Sequence, residues 1–184
     1  MKSIILAAGE GRRLRPLTEN NPKCMVNLFG KSLLQRQIEV MKSCGIDEIV
    51  IVTGYKSEMI KFPDIHYVRN ENYEYTNMVK TLFCAKKELV GNIIISYGDI
   101  IYEKSVLQKL INAKTDISVI IDKNWKMYWN ERFENPLNDA ESLKINAEGN
   151  ISEIGQCVNS FDDIQGQYIG LMKFNYNGTE ILKQ

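Results

Sequence analysis

Apolar residues in the first third of the chain come in two short blocks separated by one amphipathic stretch. Ile4, Ile5, Leu6 and Ala7 form a continuous apolar run that ends in a glycine-rich segment. Such a run predicts a strand buried on both faces. Ser32 to Ser43 instead spaces Leu33, Leu34, Ile38, Val40 and Met41 in a helical rhythm, and Gly45 supplies a stop. Ile49 to Val52 is again apolar and β-branched, and it runs into Thr53 and Gly54. Strand, helix, strand in that order predicts a right-handed βαβ unit with a parallel sheet.

The alternation continues. Asn77 to Leu89 reads as a second helix. Ile93 to Ser96 reads as a third buried strand, ending at Tyr97, Gly98 and Asp99. Ser105 to Ala113 reads as a third helix capped by Ser105, and Ile117 to Ile121 as a fourth strand. This is the pattern of an α/β, doubly wound fold. From Trp125 to Asn138 the chain turns polar and aromatic, and no regular element is predicted there. Ser142 to Ile145 and Ile151 to Ile154 then read as short strands around a turn at Glu148, Gly149 and Asn150. Gln167 to Phe174 reads as a further strand, and a helix begins near Gly178. No repeat or linker interrupts the chain, so one domain over residues 1–184 is expected.

Composition narrows the function classes. Lys+Arg and Asp+Glu both number 23, so the chain carries no net charge, which argues against a nucleic-acid partner. No apolar run is long enough to cross a bilayer, and none reads as a signal peptide; no membrane partner and a cytoplasmic location are expected. Cys24, Cys44, Cys84 and Cys157 lie far apart, and His66 is the single histidine. That argues against zinc and for reduced, mostly buried thiols. His66, beside Tyr67 and Val68, is read as structural.

The chemistry concentrates in residues 6 to 26, LAAGEGRRLRPLTENNPKCMV. A buried strand ends there, and the chain turns on Gly9 and Gly11. Glycines let backbone N–H groups approach a phosphate closely. Arg12, Arg13 and Arg15 bring guanidinium forks suited to phosphate oxygens, and Lys23 adds a compact charge after Pro22. The spacing matches neither the dinucleotide fingerprint nor a Walker A loop. On these residues alone, phosphate binding and a surface turn with scattered basic residues both remain open.

The stretch resembles the signature of the sugar-phosphate nucleotidyltransferase family, LAAGxGxRLxPLTxxxPK. It matches at Leu6, Ala7, Ala8, Gly9, Gly11, Arg13, Leu14, Pro16, Leu17, Thr18, Pro22 and Lys23. The resemblance implies a Rossmann-like, glycosyltransferase-A-like fold with a mixed, mostly parallel sheet. It also implies that the loop from Leu6 to Gly11 wraps the phosphates of an NTP. Arg13 and Lys23 would then stabilise charge at the attacked α-phosphate, while Arg12 and Arg15 are read as solvated charges. Asp99 follows Gly98 at a strand end, where α/β proteins place ligands. The resemblance makes Asp99 a ligand of Mg²⁺, which favours carboxylate, phosphate and water oxygens.

Three later stretches resemble the CTP-using branch, the phosphocholine and aminoethylphosphonate cytidylyltransferases that make capsule precursors. They are residues 77–89, 120–144 and 164–174. The resemblance implies CTP and a small phosphorylated or phosphonate acceptor as partners, and it leaves homo-oligomer formation open. Thr53, Gly54 and Tyr55, which follow a strand end, are candidates for the base pocket, with Asn77 nearby. Trp125, Tyr128, Trp129 and Tyr168 would offer aromatic faces to an acceptor ammonium, with Asp122, Asp139 and Glu141 as countercharge. Arg132 would meet a carboxylate if the acceptor is an amino-acid phosphate.

Two departures stand against the pattern. Residues 175–184 do not supply the late Trp-x-Glu-Ile-Asp type segment that carries a second metal carboxylate, so the C-terminal part of the family fold is expected to be missing. Gln156 stands where the resemblance implies a lysine for the acceptor phosphate. A sugar-1-phosphate nucleotidyltransferase using UTP, dTTP or GTP, and a nucleotide-binding module without turnover, remain as alternatives.

Overall fold

Ile4 and Ile5 are both completely buried, although neighbours on a strand point to opposite faces of a sheet. Helices therefore cover both faces of this strand, as its unbroken apolar run predicts. A computed structural model describes residues 1–184 as two compact units, Met1–Val119 with Gly170–Gln184, and Ile120–Ile169.

The first unit begins with β1 (Lys2–Ala7) and a small hairpin of β2 (Asn27–Leu28) and β3 (Lys31–Ser32). Helix α1 (Leu33–Ser43) and β4 (Glu48–Thr53) complete the βαβ pattern. Then come β5 (His66–Arg69), α2 (Met78–Cys84), β6 (Ile93–Tyr97) and α3 (Lys104–Asn112). Strand β1 pairs in parallel with β4 and β6, and β4 pairs in parallel with β5. Farther along the chain lie β7 (Ile117–Asp122), α4 (Trp125–Arg132), β8 (Glu141–Ile145), β9 (Ile151–Cys157), β10 (Gln167–Phe174) and α5 (Tyr176–Leu182). The main sheet has the order β5-β4-β1-β6-β10-β7, with β10 antiparallel to β6. A mixed, mostly parallel sheet is thus what the structure has.

One face of the sheet packs Ile4, Leu6, Val50, Val52, Ile93 and Ile95 against Leu82 and Ala85 from α2 and its end, and against Leu89. Each side chain of this size contributes about 1.5–3 kcal/mol when fully buried. The alternate residues Ile5, Ile51 and Ile94 are buried on the opposite face. Helices α1 and α3 pack together, and Lys173 ties down the end of α3: its ammonium donates to the Ile111 carbonyl at 2.8 Å and the Ala113 carbonyl at 2.5 Å. Those carbonyls would otherwise lack partners at the helix end.

Several expectations are corrected. The helix expected over residues 77–89 stops at Cys84, and a separate 3₁₀ turn covers Lys86–Glu88. Ser105 is not the cap of α3. Glu103 holds that position without a side-chain capping bond. The aromatic stretch from Trp125 forms α4 rather than irregular chain. His66 lies on β5, exposed, with Nε2 3.6 Å from Glu88. Cys24 alone of the four free cysteines is buried, while Cys84 and Cys157 are exposed.

In the second unit β8 and β9 pair antiparallel around the turn at Gly149. Trp125, Ala140, Val158 and Ile164 form its small core.

Candidate functional site

The chain leaves β1 at Ala7 and must clear the edge of the sheet. Gly11 makes this turn at φ 69°, in the left-handed region that favours glycine. A Cβ on Gly11 would stand 2.8 Å from the Lys23 Cβ, so the missing side chain is also what lets Lys23 lie across the loop. Thr18, almost fully buried, donates its hydroxyl to the Gly11 carbonyl at 2.8 Å and fixes the turn. Lys23 then reaches Asp99, and its ammonium forms an ion pair with Oδ2 of that carboxylate.

Asp99 is carried by the end of β6. The N–H of Gly98 donates to the Leu6 carbonyl at 2.9 Å, extending the β1–β6 ladder by one step. A Cβ on Gly98 would come within 3.0 Å of the Ala7 Cβ, so only glycine permits this approach of the two strand ends.

Between these strand ends lies a cleft of about 370 Å³. Leu6 and Ala7 from the end of β1 line it with Gly9 and Gly11 from the loop that follows, together with Arg13, Lys23, Gly98 and Asp99. Eight expected residues therefore meet at one place. Arg12, Leu14, Cys24, Met78 and Tyr97 line it as well, and the sequence reading did not assign them to it. Tyr97 and Cys24 sit next to motif residues, which is the signal that would have found them. Met78 is brought in as the first residue of α2.

Arg12 is less of a free surface charge than expected. Its Nε donates to Glu10 at 2.6 Å, and the Arg15 guanidinium lies 3.6 Å from the same carboxylate. The hydrogen bond from Arg12 holds the Glu10 carboxyl below its ordinary range. Burial pushes the Cys24 thiol up to about 12, so it lines the cleft as a neutral group.

The other expected residues fall elsewhere. Ala8, Thr53, Gly54 and Asn77 are not in the cleft wall. Thr53 is buried and its hydroxyl points to the Val68 carbonyl. Gly54 packs under Tyr73 and the Ala8 carbonyl. Asn77 caps α2, its side chain accepting from the Lys80 N–H at 3.0 Å.

The acceptor candidates belong to the second unit. Trp125 is corrected from ligand face to core: it is 3% exposed, with Trp129 edge-on at 6.0 Å and Phe161 tilted against it at 6.1 Å. Arg132 already covers aromatic surface, lying 5.2 Å from Tyr128, 5.3 Å from Trp129 and 5.0 Å from Phe133. Glu141 is exposed at the start of β8, and Tyr168 is half-buried on β10.

A strand end, a glycine turn and an ammonium–carboxylate pair in one cleft suit a polyphosphate and its metal ion. The model of the MobA-like NTP transferase domain matches residues 3–137. The chain belongs to the MobA-like NTP transferase family. This NTP transferase is 46% identical over 187 residues to the CTP:phosphoglutamine cytidylyltransferase of Campylobacter jejuni, a match covering 96% of this chain and 74% of that protein. It is 37% identical over 123 residues to the choline-phosphate cytidylyltransferase of Streptococcus pneumoniae, covering 65% of this chain and 53% of that one. The solved structure of the CTP:phosphocholine cytidylyltransferase from Streptococcus pneumoniae shares the fold at a TM-score of 0.70 and 24% identity, over 98% of this chain and 74% of that one.

No helix of the transferase is long and apolar enough to cross a membrane.

Proposed function

We propose that this protein transfers CMP from CTP to a small phosphorylated acceptor and releases pyrophosphate, with an amino-acid phosphate of the phosphoglutamine type as the acceptor. The observation that carries the reading is the convergence of the loop, Arg13, Lys23 and Asp99 on one cleft. The identity to the Campylobacter cytidylyltransferase over nearly the whole chain supports the choice of CTP and acceptor. Surface-polymer synthesis in the cytoplasm is the setting that this reading implies, with residues 1–184 acting as one catalytic domain.

An oxygen of the acceptor phosphate attacks the α-phosphorus of CTP in line. The new P–O bond forms as the bond from that phosphorus to the α,β-bridging oxygen breaks, and pyrophosphate leaves with the electron pair. No covalent enzyme intermediate is needed, so the protein's work is positioning and charge stabilisation. The turn at Gly11 brings backbone N–H groups to the phosphates. Arg13 and Lys23 face the charge that builds on the α-phosphate. Asp99 fits the hard-oxygen chemistry of Mg²⁺: a partly exposed carboxylate lining the cleft, with phosphates to complete the shell. Bound there, the ion would neutralise phosphate charge. On the second unit, Arg132, exposed and aromatic-backed, is the candidate for a carboxylate, and the exposed Glu141 is the candidate for an ammonium.

Pyrophosphate release with Mg²⁺ tests the reading, with each NTP set against phosphoglutamine, phosphocholine, 2-aminoethylphosphonate and glucose-1-phosphate. Release with CTP and a nitrogen-bearing acceptor is expected. Release only with UTP or dTTP and the sugar phosphate would replace the proposal with a sugar nucleotidyltransferase.

A further inference from the structure

The amide of Gln37 is buried on α1, 1% exposed, and the chemistry above does not use it. Both of its ends are engaged. Ser96 Oγ donates to Gln37 Oε1 at 2.6 Å, and Gln37 Nε2 donates to the Tyr97 carbonyl at 3.0 Å. Ser96 Oγ also lies 3.2 Å from that carbonyl. A hydroxyl has one proton, and the shorter contact takes it, leaving the Tyr97 carbonyl to the amide. Burying an amide costs stability unless it is hydrogen-bonded, and an apolar side chain would fill α1 without that risk.

The location of the partners gives the amide a purpose. Ser96 and Tyr97 are the last two residues of β6, directly ahead of Gly98 and Asp99. From the other side, the Gly98 N–H is held by the Leu6 carbonyl. The Tyr97–Gly98 peptide unit, one residue ahead of Asp99, is thus held at its carbonyl by α1 and at its N–H by β1. A carboxylate on a free loop would lack this constraint.

We infer that Gln37 is a positioning residue for Asp99: its amide fixes the end of β6 so that the carboxylate is presented to the metal–nucleotide complex. The inference rests on the reading of Asp99 as the metal carboxylate. Loss of an outer-shell partner commonly weakens metal affinity by about 10- to 100-fold.

Calorimetric titration of the full chain with CTP, in Mg²⁺ and in EDTA, tests this without turnover. The ratio of the two affinities is the gain due to the metal. In the wild type Mg²⁺ tightens CTP binding, and Asp99→Asn removes the gain. Gln37→Met is expected to lose most of it while its affinity in EDTA stays unchanged. Gln37→Leu, which removes both hydrogen bonds with a different apolar shape, serves if the first variant does not fold, with the same loss expected. Lys173→Met, which takes the β10 ammonium away from the carbonyls at the end of α3, should melt earlier yet keep the full gain, so lowered stability alone does not mimic the effect. An unchanged gain in a folded Gln37 variant, with the gain absent in Asp99→Asn, overturns the role of Gln37. An unchanged gain in Asp99→Asn overturns the metal assignment, and the inference with it.

Discussion

Lys23 and Asp99 form an ion pair across the cleft, joining the loop after β1 to the end of β6. The two groups have opposite tasks in the proposed transfer, one toward phosphate and the other toward a metal ion. Each therefore neutralises the other until nucleotide and metal arrive. Both side chains are about one-third exposed or less, 35% and 27%, so water still screens the pair. Lys23→Ala and Asp99→Ala are each expected to change stability by less than about 1 kcal/mol, as solvent-screened pairs do. Each should lower turnover by about 10²–10³-fold, the scale for removing one preorganised charge at a transition state. Pyrophosphate release beside a thermal melt separates the two effects. Unchanged rates in both variants would sink the site assignment.

Gly11→Ala should be more damaging than its size suggests. The new Cβ meets the Lys23 side chain at 2.8 Å, on a backbone that already sits at φ 69°. Lys23 must give way, and a displacement near 1 Å at a catalytic group costs about 10²-fold. The expected outcome is a fall in kcat with the fold intact by circular dichroism.

Cys24 should be inert while the protein is folded. At 3% exposure it is expected to resist iodoacetamide, while Cys84 and Cys157 alkylate quickly. Mass mapping after a short pulse checks this order. The same burial has a pH consequence. The thiol ionises near 9.0 when unfolded and only near 12 when folded. Between those values the unfolded chain binds fewer protons, so stability from the neutral thiol is present below about pH 9 and lost as pH rises toward 12. Urea unfolding across that range should show a steeper loss for the wild type than for Cys24→Ala.

Trp125 and Arg132 should separate cleanly. Trp125→Ala removes the centre of the second unit's core and is expected to cost about 3–5 kcal/mol. Arg132→Ala, on the exposed side of α4, should leave the melt nearly unchanged and raise KM for a carboxylate-bearing acceptor while sparing KM for CTP. An unchanged acceptor KM would remove Arg132 from the site.

How much of this was legible in the sequence depends on burial. β1, β4 and β6 are buried on both faces, so unbroken apolar runs announced them. The edge strand β5 is mostly exposed, and its four residues carry no such run. The aromatic stretch that forms α4 has no apolar stripe with helical spacing to announce it. Its rings meet one another and the Arg132 guanidinium instead. The cleft was legible where one contiguous motif builds it, from Leu6 to Lys23, and at Asp99 because a strand end precedes it. Met78 and Gln37 reach the same region from α2 and α1, through the order of strands in the sheet rather than through spacing along the chain. Trp125 was misjudged because an aromatic ring suits a cation and a core equally well, and only its neighbours decide.

The most direct test of the transfer itself is ³¹P nuclear magnetic resonance of the wild-type chain with CTP, Mg²⁺ and phosphoglutamine. The predicted result is loss of the triphosphate signals and growth of free pyrophosphate together with a new pair of coupled diphosphate resonances, one from CTP and one from the acceptor. Pyrophosphate without the coupled pair would mean hydrolysis rather than transfer. CTP binding with no change in the spectrum would contradict the account and leave a nucleotide-binding protein without turnover.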